Sequence, residues 1–133
     1  MKKIMTALVV AALLTACGQS KEQQDLKQVL TEKFKDDSDL KDYKLKPEDI
    51  ADCVVGNISQ DAPPIPGDPK RERYFAAFTK FAAAKSASEA EQAVKEYQDL
   101  FGGIKEAHAA ANTVTDHIMS CMGLAIEKAT PAE

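Results

Sequence analysis

The sequence predicts an all-α domain, a small bundle of four or five helices clamped by one disulfide. Three observations lead there. Apolar residues recur at three- and four-residue steps through most of the chain, the spacing of an amphipathic helix. Helix-starting and helix-ending residues fall between those segments: Pro47, Pro69, Ser88 and the pair Gly102-Gly103. The segments are of ordinary helix length and their connections are short, as in a bundle of antiparallel neighbours.

From about Asp25 the stripe is Leu26, Val29, Leu30 and Phe34. Asp36-Asp37-Ser38-Asp39 interrupts it and reads as a solvated loop. A calcium loop of the EF-hand kind needs spaced oxygen ligands, a central glycine and a closing glutamate. Leu40-Lys41-Asp42-Tyr43-Lys44 supplies no such glycine. Pro47 is placed as a first helical residue, and Glu48 and Asp49 suit a helix amino end. Ile50, Cys53, Val54 and Ile58 continue the second helix, with a short strand at Val54-Val55 as the alternative.

Asp61-Ala62-Pro63-Pro64-Ile65-Pro66-Gly67-Asp68-Pro69 is a stiff loop, because proline excludes the helical region for the residue before it. It reads as a plain crossover between helices or as a projecting contact arm. Asp68-Pro69 then caps and starts a helix over Lys70–Lys85. Tyr74, Phe78, Phe81 and Ala82 share one face, and Phe75 extends the patch sideways. These rings are expected to pack in the core; the alternative is a ridge lining a groove for a peptide or apolar ligand. Ile65, Tyr74, Phe75, Phe78 and Phe81 are therefore the candidate partner-binding residues.

Ser88 with Glu91 has the spacing of a capping box. Ala90, Val94, Tyr97 and Phe101 follow as a four-step stripe beside Leu100, and Gly102-Gly103 ends that helix. A last long helix runs from about Ile104 to Lys128. One side of it carries Ile104, His108, Ala111, Thr115, Ile118, Met122 and Ala125, broadened by Val114, Cys121 and Ile126. Residues 130–133 are expected to fray.

The first residues direct the chain out of the cytoplasm. Met1-Lys2-Lys3 precedes a mostly apolar run from Ile4 to Ala16. That is the charged and apolar pair of a secretory signal, and the run is well short of the roughly 20 residues a spanning helix needs. Leu14-Thr15-Ala16-Cys17 resembles the lipobox of bacterial lipoproteins. The resemblance implies a signal peptide over 1–16, cleavage before Cys17, and a diacylglycerol (with palmitate-type acyl chains) on that cysteine. The alternative is an ordinary secretory cleavage site at Ala16. Gly18 is not the aspartate that resembles an inner-membrane retention signal, so in a two-membrane cell the expected location is the periplasmic face of the outer membrane. Residues 17–24 would be the acylated cysteine and a short tether, and 25–129 the helical domain.

Export makes the other two cysteines, Cys53 and Cys121, a disulfide in expectation. Closing a loop of roughly 68 residues would stabilise the fold by about 4 kcal/mol on the chain-entropy estimate. A metal site or a reactive thiol is the alternative. Cys-x-x-Cys is absent, which removes the sequence basis for thioredoxin-like chemistry or covalent haem.

Composition narrows the function. The chain has 17 basic and 21 acidic side chains. Cleavage would remove Lys2 and Lys3 and make it more acidic still. No basic run with interleaved aromatics occurs, so nucleic acid is not an expected partner. His108 and His117 lie about 180° apart on a straight helix and do not converge on one metal. His117, Cys121, Met119 and Met122 include soft ligands that Asp52 could supplement, but a disulfide consumes Cys121. No nucleophile elbow or phosphate loop is present. No cofactor, metal site or enzyme activity is expected.

Size, lipobox, cysteine pair and helical pattern together resemble small pilotin lipoproteins. In that family the lipoprotein carries an outer-membrane secretin subunit by binding a segment near its carboxyl end. The resemblance covers overall organisation. The expected function is a lipid-anchored periplasmic module that binds a protein or peptide, as an assembly or secretion accessory. An envelope-defence inhibitor acting through the proline loop and a carrier of small apolar ligands are the alternatives.

Overall fold

Ser20 starts the first helix. Its hydroxyl accepts from the Gln23 amide, and the Gln23 side chain accepts from the Ser20 amide, a reciprocal capping box. This computed structural model describes residues 18–130; residues 1–17, with the expected signal peptide and Cys17, and residues 131–133 lie outside the described residues. Among them are six helices: α1 (Lys21–Phe34), α2 (Ser38–Asp42), α3 (Pro47–Asp61), α4 (Pro69–Ala83), α5 (Ala87–Phe101) and α6 (Ile104–Ala129). The domain is an all-α bundle with one disulfide, joining Cys53 in α3 to Cys121 in α6.

Six helices replace the expected four or five because the acidic segment is not a loop. The Asp37 carboxylate accepts from the Asp39 and Leu40 amides and so caps the five-residue α2. Leu40 is its one buried residue and secures it to the core. Residues 21–24, expected as part of a polar lead-in, belong to the first helix. Helix α1 begins at Lys21, and the Gln24 side chain donates to the Gln19 carbonyl.

The α5 cap shifts in the same direction. Ser86, in extended conformation, accepts from the Glu89 amide, while the Glu89 carboxylate accepts from Lys85 N–H. Ser88 lies inside the helix. Both serines have a glutamate three residues on, and the earlier register adds helical residues ahead of Ser88. Pro47, Asp68-Pro69 and Gly102 act as expected; Gly102 adopts φ 91°, the left-handed conformation that glycine reaches without strain.

Side-chain links give the directions of the helices. The Gln23 amide donates to Ser59, joining the start of α1 to the end of α3, and Lys27 meets Asp52 one turn further in. These helices are antiparallel. Lys33 donates to the Ala82 carbonyl, so α4 runs parallel to α1. Arg73 grips Asp99 with both guanidinium nitrogens, which sets α5 antiparallel to α4. One end of the bundle therefore gathers the amino ends of α1 and α4 with the carboxyl ends of α3 and α5. The amino end of α3 and the carboxyl end of α6 lie toward the other.

The core is built from Leu26, Leu30, Ile50, Val54, Val55, Ile58, Phe75, Phe78, Val94 and neighbours. In α6 the seam is Ala107, Val114 and Cys121, at seven-residue steps. Ala111, Ile118, Met122 and Ala125 flank it half-buried, whereas Ile104, His108 and Thr115 face out. The stripe is rotated from the one expected because the disulfide turns Cys121 inward and Ala107 is small enough to sit fully enclosed against the neighbouring helices.

Candidate functional site

The aromatic helix is a core element. Phe75, Phe78 and Phe81 are buried, and Phe75 is wholly enclosed. Phe75 and Phe78 pack edge-on or tilted against Tyr74, and Phe78 and Phe81 against Phe101 from α5, at centroid separations of 4.8–6.1 Å. Of the candidate contact residues on this helix, the three phenylalanines are thus removed from any docking surface. A ridge of that size is better buried, since each large ring contributes most when taken from water. Tyr74 is half-buried; burial, and next to it the charge of Asp61, push its hydroxyl pKa up to about 12.

Ile65 remains outside. It is 63% exposed, at the tip of the proline loop. The Asp68 amide donates to the Ile65 carbonyl, with Pro66 and Gly67 (φ 80°) between them, the residue pattern of a type II turn. Arg71 braces the base: it donates to the Pro63 carbonyl at 2.6 Å and lies 5.1 Å from the centre of the Phe75 ring. Ala62 is buried beneath. The tip is held rigidly by a base that belongs to the core.

Remaining chemistry-bearing residues do not converge. His108 Nε2 lies 3.1 Å from Glu91, and Asp52 is engaged by Lys27. Cys121 is in the disulfide, where Asn57 donates to its sulfur at 3.4 Å. No cluster of three metal-ligating side chains occurs among the described residues.

No protein-family model matches this chain, and no curated protein or solved structure is significantly similar to it. Its surface must speak for itself.

A groove of about 510 Å³ opens between the α2–α3 corner and the carboxyl half of α6. Leu45, Ile50, Ala125 and the half-exposed Leu124 form its floor with the disulfide, and Lys44, Lys46 and Lys128 stand on its rim against a single carboxylate, Asp49. Lys44 has φ 55°, alone among the described non-glycine residues in taking the left-handed conformation. That conformation turns the chain from α2 into α3. The disulfide fixes the spacing of the two walls, since it joins α3 to α6 at the groove itself. A second hollow, along α1 and the end of α4, is floored by Val29 and alanines and has mixed charges on its rim. Both are open-sided clefts, suited to a segment of chain laid across them.

Sequence reasoning missed this groove. Two signals were present in the chain: Lys44 and Lys46 flanking Leu45, and Leu124 lying off the expected stripe of the last helix. Neither identifies a groove until the fold brings residues 44–53 and 121–129 together.

Proposed function

We propose that this chain is a lipid-anchored, non-enzymatic adaptor. Acyl chains on Cys17 hold it to the periplasmic face of an outer membrane, and the lysine-rimmed groove binds an acidic, amphipathic segment of a protein partner. The groove's composition carries the reading: an apolar floor beneath three lysines and one carboxylate matches a helix or strand with one apolar and one acidic face. Position supports it. The groove lies at the amino end of α3, and the α1 start that would follow the lipid meets the carboxyl end of α3, roughly 22 Å away along that helix. An anchored domain would thus present the groove away from the bilayer. A partner offering a terminal segment is the arrangement that the pilotin resemblance implies.

This placement also favours the groove over the proline loop as the protein-binding surface, because the loop joins the end of α3 that meets α1. Photo-crosslinking in cells from position 124, with Lys46→Glu/Lys128→Glu as the companion variant, tests the proposal. One dominant partner captured from position 124 and lost on charge reversal, with no protein captured from position 65, is expected. Capture that survives charge reversal, or the same partner captured from position 65, contradicts it.

A further inference from the structure

The exposed tip of the proline loop and the amino-terminal lead-in to α1 share one end of the bundle. Residues Gly18 and Gln19 alone separate Cys17 from the Ser20 cap, and Gln19 is itself bonded to Gln24. Three peptide steps span at most about 10 Å. A lipid on Cys17 therefore leaves the domain almost no freedom to stand off from the bilayer, whose surface lies within that distance of the start of α1. The start of α1 is in turn bonded to the end of α3 through Gln23 and Ser59, and the proline loop begins three residues after Ser59.

We infer that Ile65, with Pro64 and Pro66 beside it, is a second membrane contact, a rigid apolar wedge that enters the same bilayer interface as the acyl chains. The inference rests on the lipoprotein reading proposed above. Each part of the loop suits that use. Isoleucine at 63% exposure is unpartnered by the fold. The prolines lack amide hydrogens, so this backbone brings fewer unsatisfied donors into a poorly hydrated layer. The turn at Pro66-Gly67 and the Arg71 brace hold the tip in place, so little ordering remains to be done on contact. The acidic balance of the whole chain gives no general attraction to anionic headgroups, which leaves an apolar contact close to the anchor as the means of orienting the domain. Two attachment points, lipid and loop, would hold the domain end-on and direct the lysine-rimmed groove outward.

The chain has no tryptophan, so a single introduced tryptophan reports on its own position. Ile65→Trp is compared with Met119→Trp, an equally exposed site on the flank of α6. Both full-length variants are purified in acylated form and placed in phosphatidylethanolamine–phosphatidylglycerol vesicles. Lipids brominated near the glycerol end should quench position 65 at least about twofold, the depth expected of a side chain held in the interface, and leave position 119 nearly unaffected. Water-like, unquenched emission at position 65 in chains whose Cys17 acylation is confirmed by mass overturns the wedge and leaves the anchor standing. A blue shift without quenching also overturns it, since the side chain would then face protein. Lack of acyl mass on Cys17 overturns both readings.

Discussion

Phe75, wholly enclosed in the core, is the residue whose loss the fold should feel most. Truncation to alanine is expected to cost about 3–5 kcal/mol, because it empties a fully enclosed site of a large ring. Urea unfolding measures this directly. Tyr74 gives a pH signature. Its folded-state pKa of about 12 stands above the ordinary 10.0, so the folded chain holds that proton more tightly than the unfolded one. Stability is full below pH 10 and declines as pH rises from 10 towards 12. Tyr74→Phe should flatten that decline, seen as a unfolding midpoint less dependent on pH across this window. Lys44 couples stability to the groove. Replacing it by glycine relieves a left-handed side chain worth roughly 1–2 kcal/mol, offset in part by backbone entropy, and removes one rim charge. The expected result is a chain slightly more stable to urea that captures its partner less well.

Between helices, the disulfide has the largest single effect. It closes a separation of 68 residues, and reducing it should lower stability by about 4 kcal/mol on the chain-entropy estimate. Because it also sets the walls of the groove, partner capture from position 124 should fall under reduction even where helix content persists. The α5–α6 corner is the other sensitive junction: Gly102→Ala forces a Cβ into a left-handed conformation at roughly 1–2 kcal/mol. Residues such as Pro47, Asp68-Pro69 and Gly102 made most element boundaries legible, since their backbone requirements are local. Cap registers were less legible. Ser86 and Ser88 each satisfy the spacing rule, and Ser20 with Gln23 does so inside what reads as a polar tether. The choice is made by where the helix meets its neighbours, as when Gln23 bonds to Ser59.

For the whole molecule, fold class and disulfide were legible because they depend on periodicity and on a pair of cysteines in a chain whose first residues read as an export signal. The site was not. An aromatic helix in a small protein reads equally as core or ridge, and only packing against Phe101 and Arg71 resolves Phe75, Phe78 and Phe81 into core. The groove needs residues about 80 apart in sequence to meet, which no local pattern encodes. What the assembled molecule adds is polarity: an end reached from Cys17 through two residues, and an end bearing a lysine-rimmed cleft. Everything proposed for function depends on which end faces the bilayer, and so on the anchor. The decisive measurement is mass spectrometry of the amino-terminal peptide from membranes of cells making the chain, beside a Cys17→Ser control. A peptide that begins at Cys17 and carries diacylglycerol, absent from the control, is the expected result. A mature terminus elsewhere, or an unmodified Cys17, would contradict it.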